Sequence, residues 1–570
     1  MTRINLTNAL IIFIVFFSLF TRFYGLNWDA NFHLHPDERF LTMVTSAISF
    51  PRHLGEIFST ADSSLNPNNV GFSFYVYGTL PIFMVKVLSV ILSLDNYFDI
   101  TLLGRTVSGI LDLLTLYVVY LISFRVFKDK LTAVLSAFFY SALIIPIQLS
   151  HFYTVDTHLT FLLTLTYLLL LSVMRQERFS PQTAVSLGLA FGGALAAKYS
   201  AVLFFPVIFL GLSVNYFRRR DISLLLKNSL IIFSCIFLSF RFFQPFFFSG
   251  VLSINSEVIS SLKTLKSFDD YSGWYPPAVQ WIKAPKLIFP GLNLFWWGVG
   301  PVLSFVGIFS LLTFLRRIKL FPDIFPAFLW VIGLFFYHGL GFSMTGRYFY
   351  PLLPLLAVFS GFGLSRIFNF NRWVFLFIFI SSLILPLAFV SIYLHPHTRV
   401  RASDWINSHL PAGSVLSCDE WDDCLPLGDA SAYQQVQLPM FLPDISSKQV
   451  EINSKLSQIQ YLVISSNRIY GAVSMASDKY PWTSDFYRRL FAGQTQFELI
   501  ASFVSRPRLL IPGIKVCLTP PSINYGFVAS SAVKCSDPGI SFVDDYAEEA
   551  YTVYDHPSVF IFRNKLLTSH

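Results

Sequence analysis

Two adjacent acids, Asp37 and Glu38, stand in the string His35-Pro36-Asp37-Glu38-Arg39-Phe40, directly after the first long apolar run, Leu10 to Phe20. A carboxylate held near hydrocarbon is costly, so acids at a membrane surface mark function by default. Two neighbouring carboxylates can divide roles: one stays ionised as a base, the other hydrogen-bonds or helps hold a cation. Asp37 and Glu38 are therefore the catalytic candidates, with Asp37 as the base. Asp156 follows Ser150-His151-Phe152-Tyr153-Thr154-Val155 at the start of a helix. It is either a helix cap or a second acid that, with His35, positions an acceptor. A divalent ion held by Asp37 and Asp156 is compatible with these acids, but their number does not require one.

Cations suited to phosphate lie far downstream. Arg347, in Gly346-Arg347-Tyr348-Phe349-Tyr350-Pro351, is the best placed, because a guanidinium grips phosphate oxygens in a fork. Lys198 closes a glycine-rich helix carrying Gly188, Gly192 and Gly193, and would neutralise a second phosphate charge. Arg105 is a further candidate, and Lys86 either does the same or snorkels. Tyr348, Trp274 and Tyr275 are either interfacial anchors or a wall for a prenyl chain or sugar.

The elements that must position these groups are mostly membrane helices. Of the 570 residues 54% are hydrophobic and only 13% charged, with 63 Phe and a mean hydropathy of +0.57, whereas a soluble domain carries about 25% charged residues. A net charge of +8 is accounted for by Lys and Arg in cytoplasmic loops, and no basic run interleaved with aromatics points to nucleic acid. Apolar segments fall at 7–24, 101–124, 131–149, 156–174, 182–199, 200–216, 225–247, 292–315, 324–341, 348–366 and 372–394, against the ~20 residues a span needs. With segment 74–94, interrupted by Pro81 and Lys86, the fold class is a polytopic α-helical membrane protein of about 11–13 membrane segments. No small-residue cleavage site follows the first segment, so it reads as a helix and not a signal peptide.

The basic loops after 124, 174, 216, 315 and 366 share the cytoplasm only if 74–94 does not change sides; it then reads as juxtamembrane or re-entrant. If it crosses, those loops move outside or another segment fails to cross. In the first topology the loops 25–73 and 249–290, Asp156 and the tail after His395 share the outer side. Residues 1–395 form the membrane domain. The tail, 396–570, reads as an extracytoplasmic α/β domain, with helices at 402–410 and 484–491 and strands at 414–417, 460–465, 497–504 and 558–562. Its four cysteines permit disulfides, most simply Cys418–Cys424 and Cys517–Cys535. The acidic run Asp419-Glu420-Trp421-Asp422-Asp423 reads as a solvated loop. No phosphate loop, GxGxxG or nucleophile elbow is present.

Taken together, the acidic string 35–40, the second Asp, the late outer Arg-Tyr, and Tyr551-Thr552-Val553-Tyr554-Asp555-His556-Pro557 in the tail resemble the GT-C glycosyltransferases. The likeness is to the family-39 group of protein O-mannosyltransferases and bacterial aminoarabinose transferases. The resemblance implies a polyprenyl-phosphate sugar donor and transfer of a hexosyl or pentosyl unit to an acceptor glycan, lipid or protein. It places that transfer on the outer face of the cytoplasmic membrane. It also implies that Asp37 deprotonates or orients the acceptor and that Arg347 and Lys198 bind phosphate. The tail lacks the sugar-binding repeats of the eukaryotic mannosyltransferases, so a protein acceptor is not implied. An oligosaccharyltransferase or glycan ligase of similar architecture, or a transporter or flippase with a sensing tail, remains an alternative.

Overall fold

The computed structural model describes residues 3–567 apart from 52, 251, 271, 273, 274, 318, 320, 522, 524, 533, 534, 536 and 537. Hydrocarbon offers backbone polar groups no partner, so the apolar runs of the first 395 residues close their hydrogen bonds within helices. Among the described residues seven helices are long and apolar enough to cross a membrane, or nine if two bent pairs each count as one.

Those bent pairs correct two of the expected straight segments. Segment 131–149 is Lys130–Ser141 followed by Ile144–Ser150, turned by 61°. Segment 292–315 breaks between Ile288–Gly298 and Pro301–Leu315, turned by 118°, where Gly300 takes a φ of 87° and Pro301 starts a fresh helix. Segment 74–94 holds the 12-residue helix Leu80–Ile91, whose ~18 Å length falls short of a ~30 Å hydrocarbon core.

Small residues set the helix packing. Pro181–Ala197 lies against Ile222–Phe243, and a Cβ on Gly188 or Gly192 would stand 2.6 Å from the carbonyl oxygen of Ile232 or Ile236. These two glycines let backbones approach closely. Gly193 does not share that role, since its nearest neighbour, Leu80, would be 3.6 Å away.

After His395 apolar runs shorten and a mixed sheet forms. Its five strands run in the order Gln434–Leu438, Val415–Asp419, Tyr461–Ile464, Val559–Asn564 and Phe497–Phe503. The first three are parallel, and Val559–Asn564 runs antiparallel to both its neighbours. The central strands are buried on both faces. Leu462, Ile464, Phe560 and Phe562 pack with Ile452, Tyr470 and Phe491 on one side. Tyr461, Val463, Val559 and Ile561 pack with Ala402 and Ile406 on the other. A three-stranded sheet, Arg508–Leu509, Gly539–Phe542 and Lys515–Leu518, stands apart. The disulfides are Cys418–Cys424 and Cys517–Cys535.

The tail is bolted to the membrane helices through the string 551–557. Trp28 Nε1 donates to the Asp555 carbonyl at 3.0 Å, and Gln148 Nε2 and the Tyr393 hydroxyl donate to its carboxylate at 3.0 and 3.2 Å. His556 bridges Asp555 at 2.5 Å and Asp544 at 2.7 Å.

Candidate active site at the membrane surface

Pro36 opens the helix Pro36–Ala47, and His35 caps it: the His35 Nδ1 accepts the Asp37 backbone N–H at 3.2 Å. That bond needs an unprotonated Nδ1. Burial supplies it, pushing the imidazole down to about 4 against the pull of Asp37. The ring lies between Phe152 and Tyr554, at 4.7 and 4.2 Å.

Adjacent residues on a helix project about 100° apart, so the two acids part company. Asp37 turns into a cavity of about 670 Å³, where Arg347 Nη1 donates to its Oδ2. Burial alone would raise this carboxyl, but Arg347 beside it, with His35 and Lys198 further off, holds it well below the usual carboxylate range. The Tyr77 phenol, also on the wall, is pushed up by burial and by Asp37.

Glu38 points the other way and does not line that cavity. It is fully buried and binds Arg105 through both oxygens, at 2.8 and 2.7 Å, while accepting the Tyr153 N–H at 2.8 Å. Arg105 completes its five N–H bonds on both oxygens of Asp29, at 2.9 and 2.7 Å, and on the Leu26 carbonyl at 2.5 Å. With every donor engaged, Arg105 has none to offer a phosphate. The expectations of Glu38 as catalytic and Arg105 as phosphate-binding are corrected accordingly: both knit the first loop to the helix Tyr97–Phe127.

Asp156 and Lys198 pair at 2.7 Å. Lys198 stands 5.3 Å from the Tyr348 ring; Tyr348 and Arg347 line the cavity and Lys198 does not. Asp37 and Asp156 are thus each matched to a cation. Among the described residues no three His, Cys, Asp or Glu side chains are grouped to hold a metal ion. The arrangement does not fit a divalent ion between Asp37 and Asp156. Tyr275 lines the cavity, stacked on Phe268 at 4.2 Å and edge-on to Trp421 at 5.9 Å. Trp274 lies outside the described residues.

The opposite wall comes from the tail and was not legible in advance. Trp421, Asp422 and Asp423 face the cavity with Arg399, Arg468, Glu549 and Tyr554. Within the acidic run expected to be solvated, Glu420 is exposed, but Asp422 and Asp423 are instead neutralised at the cavity. Arg399 binds Asp422 and, at 2.6 Å, Asp423, and Arg39 of the first loop reaches Asp423 at 2.7 Å. Arg468 binds Glu549 at 2.6 Å, and Gln280 of the loop 249–290 donates to the same acid at 3.1 Å. The one local signal was the density of acids around Trp421 beside a disulfide.

Residues 72–245 match the family model described as "Dolichyl-phosphate-mannose-protein mannosyltransferase". No curated protein sequence matches the chain. Among solved structures the chain resembles the Archaeoglobus fulgidus oligosaccharyltransferase. In its form tethered to an acceptor peptide, the TM-score is 0.51 at 12% identity, over 98% of this chain and 88% of that one. Its apo form gives 0.52 at 13% identity, over 84% and 72%. A weaker likeness, TM-score 0.43 at 13% identity over 81% and 94%, is to ArnT from Cupriavidus metallidurans bound to undecaprenyl phosphate.

The segment match, on a fold of the GT-C kind, makes the chain a multi-pass membrane glycosyltransferase. The matched segment contains Arg105, Asp156 and Lys198 but neither Asp37 nor Arg347, so that pair rests on the geometry of this chain.

Proposed function

We propose that this glycosyltransferase moves one sugar from a polyprenyl-phosphate donor to an acceptor hydroxyl on the outer face of the cytoplasmic membrane, with Asp37 as base and Arg347 as phosphate ligand. The observation that carries the reading is their ion pair at a cavity shared by membrane helices and tail. The outer side is supported by the two disulfides, which belong to an oxidising compartment. A lipid phosphate donor is supported by the family match, and a structure of the archaeal oligosaccharyltransferase holds a dolichol-phosphate with an inhibitory peptide.

The pair explains how a weakly basic aspartate becomes useful. Bonded to Arg347, the Asp37 carboxylate is a poor base. A donor phosphate arriving at Arg347 competes for the guanidinium and releases Asp37, whose affinity for a proton then rises in its partly buried setting. The acceptor oxygen attacks the anomeric carbon and its proton passes to Asp37. The bond from that carbon to the phosphate oxygen breaks, and the electron pair leaves on the lipid phosphate, stabilised by Arg347. Tyr348, Tyr275 and Trp421 line the space the sugar occupies.

The test uses membranes from cells lacking the protein, followed by mass spectrometry of their lipid-linked sugars. The intact chain should consume the sugar lipid that accumulates, and Asp37→Asn should slow consumption ~10²–10⁴-fold with folding intact. Normal consumption by Asp37→Asn sinks the base assignment. Equal loss of sugar lipid from the outer leaflet without a glycosylated product would favour a flippase.

A further inference from the structure

The turn Gly346–Leu352, which carries Arg347, is held from two sides. Beneath it, the Tyr350 hydroxyl donates to Asp112, which also accepts from Tyr140 and, at 2.9 Å, from Arg22 Nε. Above it stands Glu548 of the tail. The Glu548 Oε1 accepts the Gly346 backbone N–H and, at 3.3 Å, the Thr345 hydroxyl. Its own backbone N–H donates to Asn293 Oδ1 at 3.0 Å. Gly346 makes this contact possible, since a Cβ there would stand 2.9 Å from the Glu548 Oε1.

Glu548 is 4% exposed. Its second oxygen has no hydrogen-bond partner among the described residues, and the residue lines a cavity of about 30 Å³ with His35, Asn293 and Arg347. Burial pushes its carboxyl up to about 7, while the Gly346 N–H, the Thr345 hydroxyl and Arg347 draw it back. A buried acid with one oxygen spent on a single backbone turn is expensive to keep. What it secures is the backbone from which Arg347 reaches Asp37.

We propose that Glu548 is a positioning residue through which the docked tail fixes the Thr345-Gly346-Arg347 turn and so completes the donor-phosphate site. The inference rests on the reading of Arg347 as phosphate ligand. A guanidinium fork tolerates little displacement; the membrane domain holds the later part of the turn, through Tyr350 on Asp112 and Trp330 Nε1 on the Pro351 carbonyl, while the Gly346 N–H beside Arg347 is held by Glu548 of the tail. The tail therefore does more than cover the cavity.

The probe is undecaprenyl phosphate, titrated onto the full chain in detergent micelles. Glu548→Ala should raise its Kd about tenfold. Glu548→Gln, which keeps an oxygen for the Gly346 N–H, should remain within about threefold of the parent. Gly346→Ala approaches the same contact from the other side and should raise Kd too, with no added effect in the Glu548→Ala background. Thermal midpoints of all variants are measured alongside. A folded Glu548→Ala with parental Kd, or a Glu548→Gln as weak as Glu548→Ala, overturns the inference. If Glu548→Ala does not fold, Gly346→Ala decides, and a parental Kd there overturns it equally. Arg347→Gln separates the layers: if it binds the probe like the parent, the phosphate-ligand reading has failed; if it loses binding while Glu548→Ala does not, only this inference has.

Discussion

Replacing Arg105 by glutamine removes the one cation that serves two buried carboxylates, Asp29 and Glu38, which are 1% and 0% exposed. Breaking a buried ion pair by deleting one partner costs about 3–5 kcal/mol, because the remaining charge is left uncompensated. The Asp29 share can be sized separately. Burial pushes that carboxyl up, but Arg105 more than reverses it, bringing it from 3.8 to about 2. Nearly two units at ~1.36 kcal/mol each are worth about 2–3 kcal/mol at neutral pH. A depressed carboxyl stabilises the fold above its unfolded value and loses that contribution as pH falls from about 4 toward 2. In Arg105→Gln both acids stay buried without their cation, so their carboxyls move upward and acid relieves the repulsion. The gap in thermal midpoint between parent and variant should therefore be wide near pH 8 and narrow near pH 5. The measurement is thermal unfolding of the full chain in detergent at both pH values, with undecaprenyl phosphate binding in parallel. A variant with the parental midpoint at both pH values but no lipid phosphate binding would refute the reasoning and return Arg105 to the phosphate site.

Other outcomes follow from the same contacts. Burial opposes protonation of His556, but Asp555 and Asp544 lift it to about 10. Its stabilising effect is therefore complete below about pH 6.5 and lost as pH rises through about 10. His556→Gln should cost about 3–5 kcal/mol and abolish that alkaline loss, read as proteolytic release of the tail across a pH series; an unchanged cleavage profile would count against the bolt. Gly192→Leu should lower the thermal midpoint and the monodisperse yield, since its Cβ would meet the Ile236 carbonyl oxygen and the Ser239 Cβ at 2.6 Å and overpacking costs about 1–3 kcal/mol. Gly193→Ala, with 3.6 Å to spare, should match the parent.

Several parts of this arrangement were readable along the chain. The apolar runs announced the helices, and the strands Tyr461–Ile464 and Val559–Asn564, buried on both faces, were visible as short β-branched and aromatic stretches. The strand Gln434–Leu438 was missed because it is mostly exposed and three of its five residues are glutamines, so neither hydrophobic period nor propensity marks it. The breaks at Ala142–Leu143 and at Val299–Gly300 were passed over because length and hydropathy sum over a segment and do not register a bend. Asp422 and Asp423 are not solvated as expected, because local composition cannot show that Arg39 and Arg399 arrive to neutralise them.

Residue types alone determined a membrane protein with an acid pair at the end of its first helix, a cysteine-bearing tail and an arginine suited to phosphate. The cysteines permitted disulfides without settling them, and the structure supplies the pairs Cys418–Cys424 and Cys517–Cys535. Which of the two acids faces the cavity was a tertiary decision: the helix turns them apart, and Glu38 finds Arg105, 67 positions away, while Asp37 finds Arg347, 310 positions away. Contacts at such separations are set by how helices pack and where the tail docks, and the attraction between an acid and a distant arginine leaves no local trace in the sequence.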